Sequence, residues 1–538
     1  MERSLVGPLF ASALLTLAGS ASWAQTGSVT SIVQVGGTVA DVAMDPSGNT
    51  YVVGTFNGSL LLGELSLSSI GGDGFVACLG QDAQWIWATR VGGNADDGGM
   101  TVAVDPSGDL YMSAYIGSEG SSLSIGPTPV PDFPERGMAV VRMSTSGQFV
   151  WAVHANVNNL LNIRSAAADG CYFGGTAFDE VELQFGPHSV GTNETSGFLA
   201  ACSADGQWLW AKEYGGSIQS SCERIMTDSS GDLITAGTFA GPTLDLDGSI
   251  LTGPPLGSDD GVYFSPYLGR WSSGGEVQWL EKGDIGADGD ASISSLSASP
   301  DGGYAITGTY IDSLNFGNAQ LDGGAFYMAG FDGSGSCSSA LDVQAFGQQF
   351  YPTDAVNLTD GTMIHVGQFS GDLQLGNNDL IGNGQVGAFL AQFSPENGWI
   401  RAESLLATGE VVLHRVLRVG ESVRAIGRFD GSMSVGGATY PSNAGNWFIA
   451  FLTPMGVGMS EQTIAPSLGL YPNPAHDRIS GTMCTDPGEK LVRIFGGLGE
   501  VLIDHPTPGS MFTIDISVLP PGVYTAKAGR CTSRFVKD

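Results

Sequence analysis

Six histidines, seven cysteines and a large surplus of carboxylates are the side chains of this 538-residue chain that could carry acid–base, nucleophilic or metal chemistry. The histidines are His154, His188, His365, His414, His476 and His505. No two form a metal-ligand spacing, so each reads as a surface or turn residue. No Gly-x-Ser-x-Gly elbow sits between a strand and a helix, and no Walker loop is present. Ser299-Pro300-Asp301-Gly302-Gly303-Tyr304 has part of the Asp-box turn of sialidases but lacks its final aromatic, and it reads as a repeat turn. Carboxylates crowd two Gly-rich stretches, Asp259 with Asp260 and Asp284 with Asp288 and Asp290. A pair of carboxylates could cleave a glycosidic bond, and oxygen-rich loops suit calcium. Neither stretch has the spacing of a known calcium loop, and aspartate also favours turns through local hydrogen bonds. The chemistry-bearing residues therefore assign no catalytic residue, no cofactor and no metal, with calcium left open.

The charge is uneven. The net value is −33, and the whole excess lies between Gln25 and Pro466, where 46 acidic residues face 13 basic ones. Such a surface repels phosphate backbones, which disfavours nucleic acid, and it also repels anionic lipopolysaccharide. Cations and neutral ligands, a glycan or a protein among them, stay open as partners. The cysteines, Cys78, Cys171, Cys202, Cys222, Cys337, Cys484 and Cys531, match no zinc pattern. Cys78 and Cys202 lie in apolar strand-like runs and read as small buried residues.

The elements that would position these residues are short strands. Glycine is abundant, at 81 residues, and only 14% of residues are charged, a balance that suits many strands joined by tight turns. A unit of about sixty residues recurs. It has a strand, a turn such as Asp45-Pro46-Ser47-Gly48, and a second strand ending at a small residue followed by an aromatic. The turn returns at Asp105–Gly108, Asp228–Gly231, Ser299–Gly302 and Thr359–Gly361. The small residue stands at Gly54, Ala114, Gly175, Gly237, Gly308, Gly367 and Gly427. An apolar-Gly step follows, as at Leu62-Gly63, Phe185-Gly186 and Leu375-Gly376, with Asp247-Gly248 in the fourth unit. A third strand and a Trp-rich fourth strand, such as Trp85-Ile86-Trp87-Ala88, complete the unit. Four strands per repeat read as one propeller blade, and the Gly and aromatic markers read as packing between blades.

The seventh unit stops near Phe451-Leu452 without its fourth strand, and Ile32–Gly37 resembles the end of a fourth strand. The N-terminal strand 29–37 is therefore expected to complete the last blade and hide two sheet edges. The expected class is all-β: a seven-bladed β-propeller over 25–452, a linker at 453–466 and a small C-terminal sandwich at 467–538. The fourth unit is the longest, with an insertion around Thr252 to Pro266 that offers a place for binding. These units resemble the β-propeller repeats of secreted bacterial proteins, with their D-x-x-G-x-x-Y-x-x-G-x-F pattern, over about Val29 to Leu452.

Both ends read as addresses. Leu5 to Ala18 is mostly apolar and Ser22-Trp23-Ala24 offers small residues for a signal peptidase, so 1–24 reads as a secretory signal peptide. No later stretch reaches the length of an apolar membrane span. At the other end come Tyr471-Pro472-Asn473-Pro474-Ala475-His476-Asp477, the string Ile514-Asp515-Ile516-Ser517-Val518-Leu519-Pro520-Pro521-Gly522-Val523-Tyr524, and Arg534-Phe535-Val536-Lys537. Short strand-like runs separated by Gly and Pro join them. In order and kind these pieces resemble the type A C-terminal sorting domain of the type IX secretion system, an immunoglobulin-like sandwich. The resemblance covers about Leu468 to Asp538. His476 and two internal cysteines depart from the pattern.

The resemblance implies a Bacteroidetes-type bacterium and export by the type IX machinery. It also implies removal of the domain, then attachment to surface lipopolysaccharide or release. The signal would be carried by Tyr471, Pro472, Asn473, Pro474, Asp477, Asp515, Leu519, Gly522, Tyr524 and Lys537. Cys484 and Cys531 are the only cysteines in that segment and the first pair expected to join; such a loop would contribute about 4 kcal/mol of chain entropy. Together these readings describe an exported, cell-surface or secreted propeller that binds or displays a ligand without catalysis. The alternative is a secreted glycan-active hydrolase or lyase using propeller carboxylates.

Overall fold

The computed structural model describes residues 29–93, 96–117, 123–130, 137–157, 160–178, 181–192, 195–216, 218–253, 262–286, 289–323, 326–343, 346–435, 438–442, 445–453, 469–472, 474–482, 491–495, 501–506, 511–528 and 531–538. The expected leader, nearly all of the expected linker, the centre of the fourth-unit insertion with Asp259 and Asp260, and Asp288, Asn473 and Cys484 lie outside them. The chain divides into two compact units, Met1–Pro454 and Met455–Asp538. Every long element described is a strand, and among the described residues no helix is long and apolar enough to cross a membrane.

In the first unit each repeat forms a four-stranded antiparallel meander. The first is Thr38–Met44, Thr50–Leu62, Leu65–Leu79 and Trp85–Gly92. The sixth is Phe346–Asn357, Met363–Leu375, Asn378–Ser394 and Gly398–Leu405. The seventh uses Val411–Val419, Ser422–Phe429 and Trp447–Leu452, and its fourth strand is Val29–Val35 from the other end of the chain. The Thr30 hydroxyl donates to the Phe451 carbonyl at 3.0 Å, and the Gln34 amide donates to the Pro441 and Gly445 carbonyls at 2.9 and 2.7 Å. The first strand of each sheet packs on the first strand of the next, through all seven, and Val411–Val419 returns to Thr38–Met44. Seven sheets ringed about their first strands make a β-propeller.

A backbone constraint explains the periodic small residue. The first strand carries a bulge near this level in several repeats, between Val39 and Asp41, Pro352 and Asp354, and Leu413 and Arg415. The bulge pushes a carbonyl against the second strand. A Cβ at Gly54 would lie 2.0 Å from the Thr38 oxygen, and one at Gly308 1.8 Å from the Ser292 oxygen. Only glycine admits that approach without displacement, although Ala114 is accommodated in the second repeat.

The four strands of each repeat carry a further feature. The apolar-Gly step is the tip of an additional hairpin between the second and third strands, for example Val181–Phe185 with His188–Thr192 and Ser313–Phe316 with Ala319–Asp322. These hairpins reach back to the preceding repeat. Ile125 pairs with Val91, Leu246 with Tyr214, Asn315 with Asp284, and isolated bridges join Gln184 to Asn156 and Met433 to Ala407.

The aromatic markers divide the packing between them. Second-strand aromatics close their own sheet, as Phe56 against Phe75 and Tyr310 against Tyr327. Fourth-strand tryptophans bridge sheets. The indoles of Trp87, Trp151 and Trp210 donate to the carbonyls of Thr145, Ala204 and Ser273 in the next repeat, at 3.1, 2.7 and 3.0 Å. The residue between such aromatics, as at Ile86, Val150 and Leu209, faces solvent.

The second unit holds two sheets. One joins Gly469–Tyr471, Arg478–Thr482 and Met511–Asp515. The other joins Val501–Pro506, Leu491–Phe495, Gly522–Ala528 and Cys531–Lys537. They share one core of Ala475, Ile479, Val492, Ile494, Phe512, Ile514, Ile516, Leu519, Tyr524, Ala526 and Phe535.

Candidate functional site

Propellers gather one residue per repeat around their axis, and the first strands do so here. The residue facing the position just before each periodic small residue is Asp41, Thr101, Arg164, Arg224, Ser295, Asp354 and Arg415 in turn. All seven are polar. Thr101 and Ser295 are spent within their own sheets, on the hydroxyls of Ser113 and Thr307 at 3.1 and 2.7 Å. The other five are charged and line one central cavity of about 350 Å³, together with Arg418, Ser165, Ser297 and Asn357. A second cavity of about 430 Å³ shares Arg164 and Arg224 and is walled by Asn162, Thr176, Ser220, Ser221, Glu223, Thr238, Asp290 and Ser292.

The two aspartates are fully engaged. Arg415 reaches Asp41 at 2.7 Å and Asp354 at 3.4 Å. Each aspartate also accepts a backbone N–H from the next repeat, Asp41 from Val102 at 3.1 Å and Asp354 from Val416 at 3.0 Å. Burial raises the pKa of Asp354 against the pull of Arg415 and Arg224. Burial works against the Arg415 guanidinium, yet Asp41 and Asp354 hold it above its ordinary value. The carboxylate of Glu223 accepts from the hydroxyls of Ser221 and Thr238 at 3.0 and 3.1 Å.

The two remaining arginines differ. Among the described residues Arg164 donates only to its neighbour's carbonyl, Ile163, at 2.9 Å. Arg224 donates to the carbonyls of Glu223, Ser294 and Thr353 at 3.0, 2.6 and 3.2 Å. Among the described residues neither makes an ion pair, and both Nε atoms are buried without a partner. Burial, then repulsion from Arg415, lowers the pKa of Arg164. Burial pushes Arg224 down to about 10, with Arg164 and Arg415 adding to the shift against the pull of Asp354.

Of the sequence-derived carboxylates, Asp290 lies in the wall of the second cavity and Asp284 is not among the residues lining either cavity. Asp284 pairs with Lys282, and Asp290 accepts the Phe264 N–H at 2.9 Å. Among the described residues no three His, Cys, Asp or Glu side chains converge as metal ligands. Reading every histidine as a surface or turn residue fails for His365, which is fully buried between Phe326, Phe393 and Trp399. Burial takes its pKa down to about 3. His414 stacks on Trp447. Cys78 and Cys202 are buried as expected, and Cys171, Cys222 and Cys337 are also unpaired.

The residues of the terminal motifs meet in the second unit. Ala475, at the end of the Pro-rich string, donates its N–H to the Val536 carbonyl at 2.8 Å and accepts from the Asp538 N–H at 3.0 Å. The Asp477 carbonyl accepts from the Ile516 N–H at 2.8 Å. Asp515 accepts from the Ser517 N–H and hydroxyl, which lower its pKa. Leu519 is buried and Gly522 half-buried, and the Tyr524 hydroxyl donates to the Pro520 carbonyl at 2.7 Å while its ring stacks on Phe535. Lys537 is nearly buried, whereas Tyr471, Pro472, Pro474 and Asp477 are exposed.

No family model matches the chain, and no curated protein does. Among solved structures it is similar to Sqt1 from Chaetomium thermophilum (11% identity over 80% of this chain and 99% of that one, TM-score 0.39). It is similar to α-L-arabinanase from Penicillium chrysogenum, solved with arabinobiose (14%, 66% and 92%, TM-score 0.35). It is also similar to PorZ, a surface component of the type IX secretion system of Porphyromonas gingivalis (10%, 94% and 100%, TM-score 0.22). Likenesses this distant assign neither ligand nor activity.

Proposed function

We propose that this chain is an exported β-propeller that binds a ligand at the bacterial surface without catalysis. Its C-terminal unit delivers it through the type IX secretion machinery. In this reading residues 1–24 direct export from the cytoplasm and the propeller binds. The region 453–466 carries the cleavage that leaves the product on surface lipopolysaccharide or free.

The observation that carries the non-catalytic reading is Arg415 lying between Asp41 and Asp354. Glycoside cleavage by a carboxyl pair needs one group free to protonate the leaving oxygen and a second free to attack or to activate water. At the ring centre both carboxylates are committed to a guanidinium and a backbone amide. Delivery rests on the terminal strings that resemble a sorting domain and on their assembly around one core.

Two experiments test the reading. The purified protein is passed over a panel of immobilised polysaccharides while retention and new reducing ends are scored together. Retention without reducing ends supports a binding module, and new reducing ends support the hydrolase reading. For delivery, a chain truncated before Leu468 is expected to remain in the periplasm; its normal arrival at the surface would overturn the sorting role.

A further inference from the structure

We propose that the central cavity holds a carboxylate-bearing ligand, the acidic sugar of a uronate-containing glycan, between the guanidinium groups of Arg164 and Arg224. This rests on the binding reading above and names the ligand class for that site.

Placement is the first argument. Between Gln25 and Pro466 the chain has only 13 basic residues among 46 acidic ones. Four of them, Arg164, Arg224, Arg415 and Arg418, line this one cavity. Surface charge adjusted for solubility would not collect cations at the axis of an acidic ring.

Charge balance is the second. Arg415 is matched by two aspartates, while Arg164 and Arg224 have no carboxylate partner among the described residues. Arg418 spends two of its donors on the carbonyls of Gly420 and Asn357. Counting the five charged ring residues alone, three arginines against two aspartates leave one positive charge; Arg418 adds a cation to the same cavity, and Glu223, which draws on Arg224, and Asp290 stand in the second. A guanidinium taken from water without a counter-ion is costly, and the lowered pKa values of Arg164 and Arg224 report that cost. A monoanion between the two would neutralise the ring, and a planar carboxylate matches the guanidinium fork. A dianionic phosphate would overshoot.

The walls supply the third. Beside the two arginines the walls carry neutral groups, Ser165 in the central cavity and Ser221, Thr238, Ser292 and Asn162 in the second, where the carboxylates Glu223 and Asp290 are already held by hydroxyls and by a backbone N–H. Hydroxyl and amide side chains suit the hydroxyls of a sugar ring, and about 350 Å³ falls in the usual range of small-ligand sites.

The test is calorimetric titration of the full-length protein with glucuronate, galacturonate oligosaccharide, glucose, acetate and inorganic phosphate, for wild type and the Arg164→Gln, Arg224→Gln and Arg164→Lys variants. We expect one-to-one binding of the uronates, none of glucose, and at least tenfold weaker binding in both glutamine variants. The lysine variant should fall between, since it keeps charge but loses the fork. Arg164→Gln removes a charge with no ion-pair partner and one bond to a neighbouring carbonyl, so its melting temperature should hold or rise, which separates lost binding from lost fold; Arg224→Gln also loses bonds to the Ser294 and Thr353 carbonyls and is read only where it remains folded.

No carboxylate binding by folded wild type, undiminished binding by both glutamine variants, or a preference for phosphate would each overturn the proposal. Acetate bound as tightly as glucuronate would overturn the sugar as the source of the carboxylate. Cleavage of the galacturonate oligosaccharide would overturn the non-catalytic reading while leaving the arginine site standing. Delivery does not enter this experiment, so failure of the sorting role cannot mimic failure here.

Discussion

His365 should make the first unit acid-sensitive in a way one substitution can remove. Its imidazole is fully buried against Phe326, Phe393 and Trp399, and neither ring nitrogen has a hydrogen-bond partner. Burial lowers its pKa from 6.5 to about 3. The unfolded chain therefore takes up a proton at a pH where the folded chain does not. The stability associated with the neutral ring is complete above pH 6.5 and is lost progressively as pH falls towards 3. Each unit of pH in that window costs about 1.4 kcal/mol, so moving from pH 7.5 to 5.0 should cost about 2 kcal/mol from this residue alone. Many carboxylates titrate over the same range, so the assay must be differential. Urea unfolding at pH 7.5 and 5.0 is compared between wild type and His365→Phe, which keeps an aromatic ring among aromatic neighbours. Wild type should lose about 2 kcal/mol more than the variant across that step. Equal losses would refute the reasoning, because they would mean that His365 is either hydrated or protonated in the folded state.

Three further outcomes follow from the packing. Gly275 has a φ of 82°, and a Cβ there would lie 2.7 Å from the Trp210 ring. Gly275→Val should therefore lower unfolding free energy by at least about 2 kcal/mol, whereas Trp210→Phe, losing one indole bond, should cost about 1 kcal/mol, both read from urea midpoints. A recombinant chain beginning at Thr38 should expose the edge of Trp447–Leu452 and associate, seen by light scattering, and a peptide of residues 29–37 should reverse it. Burial pushes the thiols of Cys78 and Cys222 up to about 12. Alkylation of the native chain at pH 8, mapped by peptide mass, should therefore reach Cys337 well before Cys78, Cys171, Cys202 or Cys222.

The repeat was legible because a physical necessity prints itself in the sequence. Where the inner strand presses a carbonyl into the second strand, the residue opposite must be small, so Gly54, Gly237, Gly308, Gly367 and Gly427 recur. The strand donated by Val29–Val35 was legible for a similar reason, since it repeats the end of a strand that the seventh unit lacks. The central charges were not legible, and a turn of variable length is the cause. Asp41, Thr101, Arg224, Ser295 and Asp354 lie thirteen residues before their small marker, but Arg164 lies eleven before and Arg415 twelve. The turn between the first and second strands sets the count: Ala168 pairs with Gly170 and Val419 with Ser422, where Met44 pairs with Thr50 and Asn357 with Met363, and side-chain direction alternates with every residue. Spacing alone therefore cannot say which polar residue faces the axis. A search for a polar residue eleven to thirteen positions before each marker would have found the ring. The interlocking hairpins escaped because four of their arms in the first and sixth repeats run on continuously from the second and third strands. His365 escaped because a histidine in a strand carries no sequence mark of its burial.

The donated strand also sets how the ring responds to force. Val29 pairs with Leu452 and Val35 with Trp447, so the chain enters the first of these strands beside the point where it leaves the second. Tension applied between those two points would part the pairs one after another from that end, as a zipper opens, instead of loading them all together. Two neighbouring strands arranged this way make a clasp that resists heat through burial yet yields readily to a pull on both free ends. A molecule held in flowing medium by its C-terminal side alone would leave the other end slack, and the clasp would carry no opening load.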